Sequence, residues 1–367
     1  MAEESKHLTY FKVENFKCFD SFEMEDIGQF NLILGDNNVG KTTVLEALLF
    51  DENLTKYFSN LIHLLSKHFG TTSSALLDFN RFNYLDYLSN NKIHSNNIDT
   101  FFTLLGENIK HYMSIKYLES PEKEDIDNFL LQKSNSRTDT DNLVQFTKDK
   151  KTEFNTLNIK NHIPSITNRY CPLINSIDLY EFDLVEFYSS KVQISKILQT
   201  EFINDLRTFI AEIEDIEVGI PFQNIPNSSP ILNIRLKNVD KPLPLGMMGD
   251  GAIKIFRIIL ELLVTSNTRL MIDEIDSGIH YSHFKDYWRT IIKSASRNNV
   301  QLFMTTHNFE CLKYLKEVLE EEDMVQYQDK TRSYTLQKLA DGHVKSYKYT
   351  FEQFEYSVEQ NLEIRGR

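Results

Sequence analysis

Residues Gly35-Asp36-Asn37-Asn38-Val39-Gly40-Lys41-Thr42 fit the pattern G-x-x-x-x-G-K-[ST] in full. That spacing suits phosphate. Glycines let backbone N–H groups curl around phosphate oxygens, and a helix beginning there adds partial positive charge. In such a loop Lys41 contacts the β- and γ-phosphates, while Thr42, followed by Thr43, offers a hydroxyl to Mg²⁺. A chance match in an ordinary strand-to-helix turn is the competing reading, and the flanks decide against it. Leu270-Met271-Ile272-Asp273-Glu274 is the second signal. An apolar strand ending in two acids delivers carboxylates at the edge where open parallel sheets bind ligands. There Asp273 completes a Mg²⁺ shell, directly or through water, and Glu274 orients or deprotonates an attacking water. Alone, such a pair more often caps a strand; beside the phosphate loop it reads as chemical.

Two further sites are weaker singly. His307 follows Leu302-Phe303-Met304-Thr305-Thr306, so another apolar strand ends in a polar group at the same sheet edge. A histidine there can reach a γ-phosphate, although a solitary histidine is commonly structural. Gly249-Asp250-Gly251 opens the long apolar stretch to Val264. By itself this is a tight turn with an Asp cap. Placed before the Asp273-Glu274 strand, it reads as a second anion site, facing the γ-phosphate of a nucleotide held by another subunit.

These residues need strands that stop and helices that start on time. Phe30 to Leu34 predicts a buried strand halting at Gly35, and Val44 to Phe50 a helix apolar nearly all round, hence packed inside. Asp250 to Val264 and Tyr287 to Ala295 predict helices, and Ile231 to Leu236, Arg269 to Asp273 and Gln301 to Thr306 predict strands. Ala340-Asp341-Gly342 between two β-compatible runs signals a hairpin, and Phe351 to about Leu362 a last helix. Between residues 51 and 167 the character changes. Leu54, Phe58, Leu61, Ile62, Leu65 and Phe69 recur at helical spacing, Ser134 to Asp141 is polar, and Tyr112 to Leu118 suits a strand. The expectation is a mostly helical insertion, without the sustained heptads of a coiled-coil arm.

Composition bounds the rest. With 41% hydrophobic residues, 26 Phe and 17 Tyr, the chain can bury a real core. Its formal charge of −13 opposes an autonomous nucleic-acid binder, which needs a basic face. Cys18, Cys171 and Cys311 form no CxxC pair, so they read as buried reduced thiols, suiting the cytosol. The polar N-terminus and the lack of a long apolar run predict a cytoplasmic protein with no membrane partner.

In this order the four elements resemble the Walker A, signature, Walker B and switch-histidine motifs of the ABC-type ATPase heads of the SMC, RecF and OLD group. Asn15-Phe16-Lys17-Cys18-Phe19, with the run from Asn31 to Leu48, is similar to that group's N-terminus. Ile272 to Ser282, Gln301 to Asn308 and Leu362-Glu363-Ile364-Arg365 resemble the AAA15 family more narrowly. The resemblance implies an α/β ABC-type P-loop ATPase head with a mixed sheet core, spanning 1–50 and 168–367. It implies ATP and Mg²⁺ as cofactors and two subunits clamping two ATP molecules, as a dimer or larger homo-oligomer. It also implies a separate effector protein, possibly a nuclease, in anti-phage defence of the PARIS type.

Some positions depart from that group. Met247 stands where the resemblance implies a serine, which removes a hydroxyl for the γ-phosphate. With only a short stretch after His307, an OLD-type Toprim nuclease domain is not expected in this chain. Lys254 stands where relatives often carry Arg and receives no firm role. Lys17 fits either a contact to adenine or a plain surface lysine. His280 and His283 lack a third ligand and read as structural, and Glu320-Glu321-Glu322-Asp323 as a solvated face. No Asn-Lys-x-Asp element follows the loop to read guanine, so adenine is expected. The leading expectation is a nucleotide-dependent switch. The alternatives are a non-hydrolysing, ATP-stabilised scaffold and a RecF/SMC-like DNA repair ATPase.

Overall fold

A computed structural model describes residues 6–50, 60, 97–106, 109–118, 143–156, 172–175, 181–219, 230–362 and 364. In chain order the elements are β1 (Leu8–Phe16), β2 (Phe19–Glu25), β3 (Phe30–Gly35), α1 (Lys41–Ala47), β4 (Asn97–Gly106), β5 (Lys110–Leu118), β6 (Leu143–Lys148) and β7 (Lys151–Thr156). Next come β8 (Leu173–Ile174), α2 (Glu181–Phe187), α3 (Lys196–Arg207), β9 (Ile213–Gly219), β10 (Ile231–Leu236), β11 (Leu243–Pro244), α4 (Asp250–Val264) and β12 (Arg269–Ile272). The chain continues through α5 (Phe284–Arg297), β13 (Gln301–Thr305), α6 (Phe309–Leu319), β14 (Thr331–Lys338), β15 (Val344–Tyr349) and α7 (Phe351–Glu359).

The central sheet runs β15-β14-β3-β13-β12-β8. Its strands are parallel except β15, which folds back antiparallel on β14 through the hairpin at Ala340-Asp341-Gly342. An α/β fold with a mixed sheet is therefore realised as expected. Because β3, β12 and β13 point the same way, their C-terminal ends share one edge. Strands buried on both faces need apolar residues throughout, and β12 and β13 are buried at every position.

Successive residues serve opposite faces. Leu32, Leu34, Leu270, Ile272, Leu302 and Met304 pack with the helices α4, α5 and α6. Ile33, Met271 and Phe303 pack on α1 and on a second, antiparallel sheet, β2-β1-β4-β5-β6-β7. A third sheet, β11-β10-β9, lies beside α2 and α3.

Between residues 51 and 167 the described strands revise the helical expectation. β4 to β7 extend the sheet begun by β1 and β2, with Phe102, Leu104, Met113, Ile115 and Phe146 turned into its core. The strand expected near Tyr112 to Leu118 is present as β5. Apart from Asn60, the helical stretch from Leu54 to Phe69 lies outside the described residues, as do Ser134 to Asp141 and Cys171. Cys311 is buried as expected, whereas Cys18 is exposed, because the turn between β1 and β2 carries it to the surface. Among the described residues no helix is long and apolar enough to cross a membrane.

Candidate active site

Three turns meet at the shared sheet edge. The first leaves β3 at Gly35, whose φ of 147° together with Asn38 at 62° and Gly40 at 104° bends the chain into a loop. Gly40 cannot be replaced cheaply, since a Cβ would lie 2.9 Å from the Phe19 ring and 3.0 Å from Cys18 Sγ. Asp36, Asn37 and Asn38 are exposed, and Val39 is tucked into the core beneath them. Lys41 begins α1 and is buried. Its Nζ donates to Gly35 O at 2.9 Å and Asp36 O at 2.7 Å, so the ammonium sits inside the loop's curve. Burial pushes Lys41 down to about 8, against the upward pull of Asp273, Asp36 and Glu274. The far end of α1 is held by Arg269, which donates to Leu48 O at 2.8 Å and also to Phe50 O.

The second turn follows β12. Thr42 Oγ1 donates to Asp273 Oδ2 at 2.9 Å, joining the phosphate loop to the acid pair. Octahedral Mg²⁺ at 2.0–2.1 Å from its ligands sets neighbouring oxygens about 2.9 Å apart. The hydroxyl and carboxylate thus fit a hard divalent cation in both chemistry and spacing. Glu274 is exposed and takes a left-handed φ of 48°, uncommon outside glycine. Thr305 secures that backbone: its Oγ1 donates to Asp273 Oδ1 at 2.5 Å and accepts from Glu274 N at 2.8 Å. Further along, Tyr287 OH donates to Ile275 O at 2.8 Å.

The third turn follows β13. Thr306 Oγ1 donates to Asp276 Oδ1 at 2.6 Å and accepts from Asn308 N at 3.0 Å, so His307 is carried on a fixed bend. Burial and the Lys41 charge hold the His307 imidazole below its usual value, while Glu274, Asp276 and Asp273 pull it upward. The charges that act on His307 are therefore those of the loop and the acid pair, and these expected site residues come together.

Gly249, Asp250 and Gly251 stand apart. Among the described residues no hydrogen bond links them to Gly35–Thr43. Gly249 and Asp250 are exposed, and a Cβ on Gly249 would meet nothing within 4 Å. Met247 nearby is 76% exposed. Gly251 instead touches the loop after Glu274: a Cβ there would fall 2.1 Å from Gly278 O.

Lys17 is neither free nor a plain surface residue. It pairs with buried Glu46 of α1, its ammonium 6.0 Å from the Phe16 ring centre. His280 bonds Ser282 and lies against Tyr281 with the two rings tilted. In the acidic run Glu320, Glu321 and Asp323 pair with Lys316, Arg289 and Lys293. Thr305, Thr306, Asp276 and Tyr287 carry site geometry that sequence reasoning did not assign. The doubled threonine after the apolar run Leu302-Phe303-Met304 was the signal available for two of them.

A phosphate-type loop after β3, an acid pair after β12 and the parallel strand β13 between them define a P-loop ATPase. The chain belongs to the family described as "AAA domain, putative AbiEii toxin, Type IV TA system", whose pattern matches residues 30–312. It is 24% identical over 385 residues to an "ATP/GTP phosphatase" of Helicobacter pylori, covering 97% of this chain and 99% of that one. Among solved structures it is similar to the SMC head domain from Thermotoga maritima, with TM-score 0.47, 11% identity, and 94% and 99% of the two chains covered. An SMC head bound to the C-winged helix domain of ScpA gives TM-score 0.47 and 12% identity, with 94% and 99% of the two chains covered.

Proposed function

We propose that this ATPase is a nucleotide-dependent switch whose closed state is an ATP-bridged assembly of at least two copies. Gly35 to Thr43 hold the triphosphate, with Lys41 on the β- and γ-phosphates. Thr42 and Asp273 are the residues that would hold Mg²⁺, which offsets charge on the phosphate oxygens when bound. Glu274 takes a proton from the attacking water as its oxygen bonds the γ-phosphorus and the bond to the β-phosphate bridge breaks. His307, whose imidazole burial and the Lys41 charge hold below its usual value, donates to the departing phosphoryl group.

One observation carries the assembly: the Gly249-Asp250-Gly251 turn is exposed and has no hydrogen bond to its own phosphate loop among the described residues. An anion-binding turn so placed suits the γ-phosphate on a second copy. Met247 brings no hydroxyl, so backbone N–H groups supply the contact. Adenine is the preferred base, and because the Helicobacter pylori relative is named for both nucleotides, ATP and GTP are to be compared directly. The resemblance to the AAA15 family supports a separate effector, read out in anti-phage defence, with the cytoplasm as the site of action.

The test is the solution mass of the Glu274→Gln protein without nucleotide and then with ATP and Mg²⁺. A rise in mass with ATP supports the switch. An oligomer unchanged by ATP would sink it and leave a scaffold that uses nucleotide as structural glue.

A further inference from the structure

Lys254 lies on α4 one turn after Gly251 and is only 5% exposed. A buried lysine is costly unless its ammonium is bonded. Its Nζ donates to Glu274 O, and lies 3.5 Å from Asp273 O. The acceptors are backbone carbonyls of the very peptides that aim the acid pair. Glu274 is thus gripped from two sides, its N–H by Thr305 Oγ1 at 2.8 Å and its carbonyl by Lys254. The left-handed backbone of Glu274 is not one that its own residue type favours, so outside bonds must hold it.

A second contact joins the same two segments. Gly251 approaches Gly278 so closely that a Cβ would lie 2.1 Å from the Gly278 carbonyl oxygen. The first turn of α4 is therefore fastened to the loop 273–278 at two points, one steric and one polar. The exposed Gly249-Asp250 corner lies immediately before them. Any shift of that corner is passed to the Glu274 backbone through short, stiff connections.

We propose that Lys254 is a positioning residue that couples the Gly249–Gly251 turn to Glu274, so that engaging this turn with another copy's nucleotide sets the direction of the general base. The proposal rests on the assembly described above. On this reading turnover is greatest in the closed state, because one site's base is aimed by contact with the other site's nucleotide. Lys254 touches no reacting atom, and its effect appears in turnover rather than in nucleotide capture.

The experiment compares the full chain with Lys254→Met, Lys254→Gln and Lys254→Arg, following ATP affinity, kcat, KM and turnover per site against protein concentration. Displacing a reacting group by about 1 Å costs roughly a hundredfold. In Lys254→Met, kcat falls by up to that factor, with ATP affinity within about twofold of normal because Lys41 is intact. Lys254→Arg, which keeps a bonded cation, recovers much of kcat. In the unaltered protein turnover per site rises with concentration, while in Lys254→Met the mass still rises with ATP but turnover does not. Normal kcat in Lys254→Met overturns the proposal. So does an equal loss of affinity, kcat and thermal stability that Arg fails to rescue, which marks a purely structural lysine. Should Lys254→Met not fold, Lys254→Gln carries the same reading, since its neutral amide is one atom shorter than lysine and loses the charged reach to Glu274 O. If the unaltered protein shows no dependence of turnover on concentration, the assembly itself fails, an outcome distinct from failure of Lys254.

Discussion

Thr42 Oγ1 donates to Asp273 Oδ2 across 2.9 Å, although the two residues are separated by most of the chain. The bond crosses from the first turn of α1 to the end of β12, and no local sequence pattern could have made it. It brings a hydroxyl and a carboxylate to the separation that two neighbouring oxygens take on a small hard cation. Both sides are pinned, Thr42 by α1 and Asp273 by Thr305.

Lys41→Ala removes the ammonium that lies inside the curve of the Gly35 loop. Nucleotide affinity should drop by two orders of magnitude or more, as charge-assisted phosphate contacts contribute roughly 1.5–3 kcal/mol each. Titration with a fluorescent ATP analogue measures it, and unchanged affinity would refute the loop assignment.

For Glu274→Gln the expectation is normal binding with hydrolysis reduced by roughly 10²–10⁴-fold, the usual contribution of a general base. Phosphate release against time is the readout. Near-normal turnover would place the base elsewhere.

Thr305→Val keeps the shape of β13 but removes a donor to Asp273 and an acceptor for Glu274 N. Losing such a supporting residue typically costs about 10–100-fold in activity. A variant with full kcat would show that Asp273 and Glu274 hold their places unaided.

Gly251→Ala forces a methyl against the Gly278 carbonyl, and the backbone must give way. A loss of roughly 1–3 kcal/mol is expected from such overpacking, seen as a lower denaturant midpoint. Because the clash is between α4 and the loop 273–278, turnover should fall further than stability alone accounts for.

The pH dependence follows from Lys41, pushed down to about 8 by burial. The ammonium is the form that binds phosphate, so affinity is full below pH 8. It then declines by up to about tenfold per pH unit above it, and ATP uptake at high pH draws in a proton. Calorimetry of Glu274→Gln in buffers of differing ionisation heat detects that proton. Stability moves the other way. Lys41 and Lys254 both sit near 8 in the fold against 10.5 for the free side chain. Between those values the unfolded chain binds more protons, so their burial cost is relieved as pH rises through 8.

Much of the site was legible because it is made of strand ends. β3, β12 and β13 are short apolar runs terminated by Gly35, by Asp273-Glu274 and by Thr306-His307, and the polarity switch marks each boundary. The long apolar stretch of α4 was equally plain. Lys254 and Tyr287 were not, since their partners are backbone carbonyls brought near only by the crossing of α4 and α5 over the sheet. In the insertion, alternation at Thr100, Phe102 and Leu104 carried a strand signal. The helical spacing from Leu54 to Phe69 drew the reading instead, in residues largely beyond those described.

β1 is hydrogen-bonded on one side to β2 and on the other to β4, with Tyr10 opposite Leu105 and Glu14 opposite Phe101. The insertion is thus stitched to the same strand that carries the first hairpin, so the two share one hydrogen-bonded ladder. Trimming residues 97–156 away would bare one flank of β1, and an open strand edge recruits other chains into aggregates. β4 thus acts as a guard, shielding an edge that β1 would otherwise offer to other chains.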